Sequence, residues 1–199
     1  MRRLVLTACI VLALRATVLG DTSVWEIDPS HSSTQFAIRH LMVSTVRGEF
    51  GKVSGTVTLD ESDPMKSVIE ATIATDSINT RVEKRDNHLK GPDFFDVEKY
   101  PTITFKSKKI EAAGEGKFTV AGDLTMHGVT KEVILNVAGT TKPVKDPAGK
   151  LRLGGSATTT INRKDFGFSY NRVLETGGVL VGDEVNITID VELIQKSAS

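Results

Sequence analysis

The chain has 199 residues, a length typical of one domain, and its 25 basic and 25 acidic residues give a formal net charge of zero. Residues 1–20 contribute three arginines and no acidic residue, so the remainder carries 22 basic and 25 acidic residues. A mildly acidic chain lacks the basic stripe that nucleic-acid binding requires, so we expect no nucleic-acid partner. The single cysteine, Cys9, lies within residues 1–20, which excludes a disulfide or a thiolate metal site from the rest.

Residues 1–20 have the layout of a secretory signal peptide. The start is positively charged, an apolar run covers Leu4–Leu14, and residues of small or medium size follow up to Gly20. The sequence therefore predicts a signal peptide that is cleaved after Gly20.

Cleavage there leaves a single domain over residues 21–199, which we expect in the periplasm or outside the cell. Arg15 ends the apolar run before it reaches the roughly 20 residues of a membrane span, so we expect no stable span. An uncleaved N-terminal anchor is the alternative.

Most of the chain after residue 21 alternates apolar and polar residues with a period of two, which is the pattern of half-buried strands. The pattern predicts eight strands and a short leading strand around Trp25–Ile27. The eight strands are Ser33–His40, Arg47–Asp60, Ser67–Ile78, Thr102–Lys106, Lys117–Met126, Val129–Thr141, Lys150–Asn162 and Glu184–Leu193.

Each predicted strand has one apolar face, which suits either a sandwich of two sheets or a closed barrel. Several strands exceed ten residues, and at ~3.3 Å per residue they form a tall sheet whose two long edges a sandwich would expose. Closing the sheet removes both edges. We therefore predict an all-β fold, an elongated antiparallel β-barrel of eight strands with one short helix in a long connection.

The interior of such a barrel is either filled by side chains or holds one small ligand. Small residues recur at the inward positions and leave room for an elongated apolar cavity. These residues are Gly55, Ala71, Gly122, Gly155 and Ala157. A core filled by large residues opposite them is the alternative.

A connection too long for a hairpin runs from residue 79 to residue 100. Thr80 and Glu83 have the spacing of a capping box, and Gly91-Pro92 is a stop signal. The sequence therefore predicts a helix over Arg81–Lys90 that covers one end of the barrel.

One face of this helix is basic, since Arg81, Arg85 and His88 are spaced at i, i+4 and i+7. At the barrel mouth such a face would meet an anionic group, whose geometry arginine matches. A charged face that points only into solvent is the alternative.

The second long interruption, Arg163–Gly182, is predicted as an irregular strand or a flap folded on the barrel. Phe166 and Tyr170 keep the alternation, but charged residues and glycines follow. Asn162 and Asp165 have side chains that bond local backbone, so we interpret the start of this segment as turn structure.

The sequence has no recognisable catalytic or metal-binding constellation. Its four histidines lack the spacing of a zinc site, and it has no Gly-x-Ser-x-Gly, phosphate-binding glycine loop or dinucleotide fingerprint. Of the four histidines, only His40 lies on the apolar face of its strand. It is either a hydrogen-bonded core residue or a polar group that faces the cavity. We predict no catalytic residue, no metal site and no cofactor.

Short motifs in a fixed order carry a family resemblance over Trp25–Leu193. They are Trp25-x-Ile27-Asp28-x-x-His31-Ser32, Phe36-x-Ile38-x-His40, Val46-Arg47-Gly48-x-Phe50, Arg85-x-x-His88-Leu89, Asp93-Phe94-Phe95-Asp96, Tyr100-Pro101-x-Ile103-x-Phe105, Gly122-x-Leu124-Thr125, His127-Gly128-Val129-Thr130 and Asn162-Arg163-x-Asp165-Phe166-Gly167. Each motif alone is weak, but in this order the chain resembles the YceI-like polyisoprenoid-binding family of exported bacterial proteins.

The resemblance implies an elongated, lipocalin-like barrel that binds long amphiphiles, such as polyprenyl chains with a polar or phosphorylated end. It also implies that apolar side chains of the interior contact the ligand. We assign this contact to Phe36, Ile38, Phe50, Ile73, Ile103, Phe105, Leu124 and Leu135.

Other motif residues serve the ligand head group or the fold. His40, Arg85 and His88 are predicted for the head group, from the strand parity and the helix face described above. Within the motifs, Phe94-Phe95 is expected to plug one end of the barrel, and Arg163 with Asp165 to brace the last turn.

We expect a non-enzymatic protein that binds, stores or transports a long-chain isoprenoid-like lipid, such as a polyprenyl phosphate or a quinone-type lipid. One alternative is an enzyme that acts on such a lipid with His40 as general base, which needs a partner acid or nucleophile beside it. Another is a structural or interaction barrel with a filled core. The sequence leaves open whether the chain forms a homodimer.

Overall fold

The structure, a computed structural model, describes residues 22–175 and 177–196, so the predicted signal peptide lies outside the described residues. The strands are β1 (Thr22–Ile27), β2 (Ser33–His40), β3 (Ser44–Phe50), β4 (Val53–Asp60), β5 (Val68–Ala74), β6 (Ile78–Asn79), β7 (Thr102–Gly114), β8 (Lys117–Met126), β9 (Val129–Ala138), β10 (Val144–Lys145), β11 (Leu151–Asn162) and β12 (Val181–Gln195). The helix α1 covers Glu83–Lys90, and short 3-10 helices cover Pro64–Lys66, Thr75–Ser77 and Arg163–Phe166.

All of these strands belong to one antiparallel sheet that closes on itself where β11 pairs with β12. β1 and β2 pair with the same side of β12, so they form one long strand with a kink between them. β3 with β4 and β5 with β6 are interrupted in the same way. These three long strands and β7, β8, β9, β11 and β12 make the predicted eight-stranded barrel.

The two ends of the barrel differ. The end that we call the helix end carries the β2–β3 turn, α1, the β8–β9 turn and residues 163–180. The opposite end carries the connections β4–β5, β7–β8 and β9–β11. In the described part of the chain, no helix is long and apolar enough to cross a membrane.

The helix begins two residues later than predicted, and the capping box is wrong. Arg81 has a φ of +65°, outside the helical region, and the N-cap position is Val82 without a side-chain cap. The Thr80 hydroxyl instead donates to Asp86 at 2.5 Å and accepts from Arg85 at 2.7 Å. Because Thr80 is buried, these contacts with the helix take the place of the predicted cap.

A cluster of large apolar side chains closes the helix end, as expected for Phe94-Phe95. The ring of Phe95 lies 5.5 Å from that of Phe50 and 5.0 Å from that of Phe168. The buried members of the cluster are Phe50, Ile78, Ile103, Met126, Ile161, Phe166 and Phe168. The helix end is therefore the packed end of the barrel.

Arg163 holds the flap against the barrel. It is only 4% exposed and donates to the carbonyls of Gly182 at 2.8 Å and of Phe168 at 2.6 Å. Burial lowers the pKa of Arg163, and the charge of Asp183 opposes that shift. The predicted bracing role is wrong for Asp165, which is exposed, because the local turn is instead capped by the side chain of Asn162.

Candidate functional site

The barrel encloses a cavity of about 660 Å³, within the ~300–1,000 Å³ range of pockets that bury one small ligand. Inward-facing side chains such as Ile187 and Ile189 on β12 are only half-buried although the barrel is closed around them. A filled interior would bury such residues completely. The structure therefore contradicts the alternative of a filled core.

The predicted apolar lining is found in one place. The eight side chains come from six strands and all border the cavity. They are Phe36, Ile38, Phe50, Ile73, Ile103, Phe105, Leu124 and Leu135. Strand parity predicts that these side chains face the interior, because successive side chains of a strand point to opposite faces of the sheet.

Gly122 does not leave room in the way that the sequence suggested, and Gly48 on the neighbouring part of the wall behaves in the same way. A Cβ on Gly122 would lie 2.4 Å from the Phe105 ring, and one on Gly48 would lie 2.4 Å from the Phe36 ring. These glycines let the two rings lie flat along the barrel wall. The cavity stays open because the aromatic rings occupy the wall rather than the centre.

The three residues predicted for a head group border the cavity at the helix end. Arg85 is half-buried, and its Nε and Nη2 donate to the hydroxyl and the carbonyl of Thr80 at 2.7 and 2.8 Å. Among the described residues, no carboxylate lies within 4.0 Å of its guanidinium. An arginine that is held in place and lacks a counter-ion is suited to an anionic ligand group.

His88 is already engaged with protein groups. Its Nε2 lies 2.9 Å from a carboxylate oxygen of Asp93, and its ring packs edge-on against Phe94 and Tyr170 at 5.1 Å. His88 is therefore better suited to shaping the rim of the cavity than to binding a head group directly.

His40 is half-buried at the end of β2 and borders the cavity. Within residues 22–175 and 177–196, its hydrogen bond with a side chain runs from the Ser44 hydroxyl to its carbonyl, at 3.5 Å. Among these residues the imidazole forms no hydrogen bond with an acid or a nucleophile, the partner that a general base would use.

Sequence reasoning missed two groups of lining residues. Tyr170 and Leu180 border the cavity at the helix end, and Thr140 and Thr141 border it at the opposite end. The alternation of Phe166, Phe168 and Tyr170 is the signal in the sequence that could place Tyr170 in the cavity lining. In the sequence analysis this alternation indicates only an irregular strand or a flap. The cavity thus extends between the two ends of the barrel.

A second cluster of charged side chains lies on the outer wall, near the opposite end. Ligand atoms of Asp28, His31 and Glu192 lie within 4.8 Å of one another, a set that could hold a metal ion. Arg152, however, donates to Asp28 at 2.7 Å and to Glu192, so its guanidinium already supplies the positive charge between them. We interpret this cluster as structural.

Charge pairing in this cluster shifts several pKa values. Hydrogen bonds from His31 and Arg152 hold the pKa of Asp28 far below its ordinary value. The carboxylate of Asp28, 2.9 Å away, raises the pKa of His31. A hydrogen bond from Arg152 lowers the pKa of Asp146 in the same way.

Comparison with known proteins agrees with this geometry. A relative in Staphylococcus aureus (strain N315), the UPF0312 protein SA2479, is 42% identical over 167 residues, which are 83% of this chain and 94% of the relative. The crystal structure of the Campylobacter jejuni YCEI protein superposes with a TM-score of 0.67 at 34% identity, over 80% of this chain and 90% of that one.

A more distant structure shares the fold. The polyisoprenoid binding domain from Saccharophagus degradans has a TM-score of 0.62 at 15% identity, over 86% of this chain and 98% of that one. The family model of the YceI-like domain matches residues 25–193, from the buried Trp25 to Leu193 in the last barrel strand. With its closed antiparallel barrel and its long apolar cavity, this chain belongs to the YceI-like domain family.

Proposed function

We propose that the barrel binds one long-chain isoprenoid-like amphiphile, a polyprenyl phosphate or a quinone-type lipid, and stores or transports it without chemical change. The observation that carries this proposal is the closed, carbon-lined cavity of about 660 Å³ with an arginine at one end. The name of the Saccharophagus degradans domain, a polyisoprenoid binding domain, supports the choice of lipid.

The apolar tail would supply most of the binding free energy. Burial of a methylene-sized unit contributes about 0.8 kcal/mol before the cost of ordering the chain. Ile38, Phe105 and Leu135 line the part of the cavity that would hold the tail. Arg85 and His40 would orient a polar or phosphorylated head at the helix end.

We also propose that the protein works in the periplasm or outside the cell. The basis is the sequence of residues 1–20, which has the layout of a cleaved signal peptide. Mass spectrometry of the N-terminus after expression and export would show cleavage after Gly20. An N-terminus that still begins with Met1 would contradict the cleavage.

Ligand binding is tested by blocking the cavity. Gly155 lines it, and a Cβ there would meet nothing closer than 3.7 Å, so Gly155→Phe would direct a ring into the cavity without a backbone clash. Thr158→Phe places the same ring on the exposed outer face of the same strand and is the matched control.

Both variants and the parent would be incubated with a polyprenyl phosphate, separated from free lipid, extracted with organic solvent and analysed by mass spectrometry. We expect the parent and Thr158→Phe to retain lipid at a similar level and Gly155→Phe to retain at least tenfold less. The proposal is wrong if the parent, correctly folded, retains no polyprenyl compound.

A further inference from the structure

The turn between β2 and β3 has an unusual backbone for its residues. Leu41 and Met42 have φ values of +52° and +62°, and the amide of Val43 donates to the carbonyl of His40 at 3.1 Å. A turn with positive φ at both central positions favours Asn-Gly, and bulky side chains are strained there. Strain of this kind persists where the side chains serve a purpose other than local stability.

These side chains project into solvent. Met42 is 51% exposed and Val43 is 78% exposed. The neighbouring loop adds Val173, which is 79% exposed. The two loops are joined by a hydrogen bond from the amide of Leu41 to the carbonyl of Leu180, at 2.9 Å. Leu41, Met42, Val43 and Val173 form what we call the apolar tip.

Arginines without a counter-ion surround the apolar tip. The guanidinium of Arg39 donates to the carbonyl of Met42 at 2.6 Å, and Arg172 directly precedes Val173. Arg47 lies beside Arg39 on the outer face, since it pairs with Ala37 in the next strand. In the described part of the chain, no carboxylate lies within 4.0 Å of these three guanidinium groups, and residues 163–175 carry two exposed acids, Asp165 and Glu175.

The apolar tip lies beside the lining of the cavity at the helix end. His40, directly before it, and Leu180, bonded to it, both line the cavity. Exposed apolar side chains next to cationic ones are the composition that binds the interface of an anionic bilayer, where the apolar groups are buried and the cations meet lipid phosphates. A soluble acidic partner would match the arginines but would leave the strained apolar turn without a role.

We propose that the apolar tip and its arginines dock on the surface of an anionic phospholipid bilayer, with the helix end of the barrel facing the lipid. This inference goes beyond the proposed function, because docking needs no isoprenoid in the cavity. The docking proposal and the lipid-binding proposal can therefore be refuted independently. Docking is measured with vesicles that contain no isoprenoid, and lipid retention is measured with a polyprenyl phosphate dispersed in detergent.

The first test removes the apolar side chains while improving the turn. Leu41→Asn combined with Met42→Gly supplies the residues that this backbone favours, so the variant should be at least as stable as the parent. Binding would be measured by co-sedimentation with vesicles of phosphatidylglycerol and phosphatidylcholine. We expect about tenfold weaker binding, because the variant lacks two apolar side chains that docking would bury in the bilayer.

The matched control is Val144→Asn, which removes an exposed apolar side chain at the opposite end and should leave binding unchanged. Every protein compared is prepared in the same way and has the same N-terminus, so a difference in binding between them reports the substituted residues. Unchanged vesicle binding by the Leu41→Asn, Met42→Gly variant would overturn the proposal.

The second test removes charge. Each cation near an anionic bilayer contributes about fivefold to its affinity, so Arg47→Gln with Arg172→Gln should weaken binding about 25-fold. Lys117→Gln, at the opposite end, should not weaken it. Vesicles of pure phosphatidylcholine should bind the parent far less than the anionic vesicles do. Equal binding to both kinds of vesicle, or equal loss with Lys117→Gln, would show that docking is not directed by these arginines.

Discussion

Arginines near the two ends of the barrel differ in their charge pairing. Near the opposite end, Arg152 contacts Asp28, Asp146 and Glu192, so three carboxylates share one guanidinium. At the helix end, Arg39, Arg47 and Arg172 have no carboxylate partner among the described residues, and apolar side chains beside them are exposed. Paired charges hold parts of a fold together, whereas unpaired ones are available to a ligand or a surface. The difference leaves Arg39, Arg47 and Arg172, but not Arg152, available to an anionic surface.

The largest effect is expected at the helix end, for Arg163→Ala. This change leaves buried carbonyls of the flap, including that of Phe168, without a donor. Each unsatisfied buried group costs about 1–3 kcal/mol, so the free energy of unfolding should fall by at least 3 kcal/mol. Urea denaturation measures this fall in the free energy of unfolding. The neighbouring exposed Lys164→Ala is the control and should change stability by less than about 1 kcal/mol.

An equal, small effect of both changes would contradict the view that Arg163 holds the flap. Lipid retention provides a second measurement on Arg163→Ala and Lys164→Ala. Tyr170 of the flap lines the cavity, and its carbonyl accepts a hydrogen bond from Arg163 at 2.9 Å. A variant that keeps its barrel but frees the flap should lose lipid faster than the parent.

An intermediate effect is expected near the opposite end, for Asp28→Asn. Asp28 is buried and accepts hydrogen bonds from both His31 and Arg152, so its loss should cost about 2–3 kcal/mol at neutral pH. Because the pKa of Asp28 is lowered in the folded protein, its contribution is present above the unfolded pKa of about 3.9. That contribution is lost as the pH falls below this value toward the folded pKa.

Urea denaturation at a series of acidic pH values measures this dependence. The difference in stability between the parent and Asp28→Asn should be constant at neutral pH and shrink in acid. A difference that grows as the pH falls would show that Asp28 is not the group that titrates. Asp165→Asn, at an exposed position, is the control and should show no such difference.

The smallest effect is expected for His31, whose side chain is 59% exposed. Its pKa is raised by the hydrogen bond and the charge of Asp28, so its contribution to stability is complete below the unfolded pKa of about 6.5. The contribution is lost as the pH rises through the folded pKa. NMR titration should give a pKa above 6.5 that returns toward 6.5 in Asp28→Asn.

A folded pKa at or below 6.5 would contradict the assigned pairing.

Alternation of residues was enough to predict the barrel wall. The eight strands, their apolar faces and the eight apolar lining residues from Phe36 to Leu135 follow from the period of two, because side chains of a strand alternate between the two faces of a sheet. The family motifs added the lipocalin-like shape.

Local signals failed where distant contacts decide the conformation. Thr80 and Glu83 have the spacing of a capping box, yet Thr80 bonds to Asp86 because it is buried at the helix end. The turn at Leu41 and Met42 lacks the Asn-Gly signal of its backbone and could not be predicted from propensity. Arg152 and Asp28 are 124 residues apart, and only closure of the barrel brings them together.

The sequence by itself determined the eight-stranded barrel, its apolar interior and the family, since periodicity and motif order are written along the chain. Tertiary structure decided that the interior is an open cavity, because it depends on whether Phe36 and Phe105 lie along the wall over glycines or point to the centre. Tertiary structure also decided which charged side chains form ion pairs and which apolar side chains stay exposed. Both depend on strands that meet only when the sheet closes.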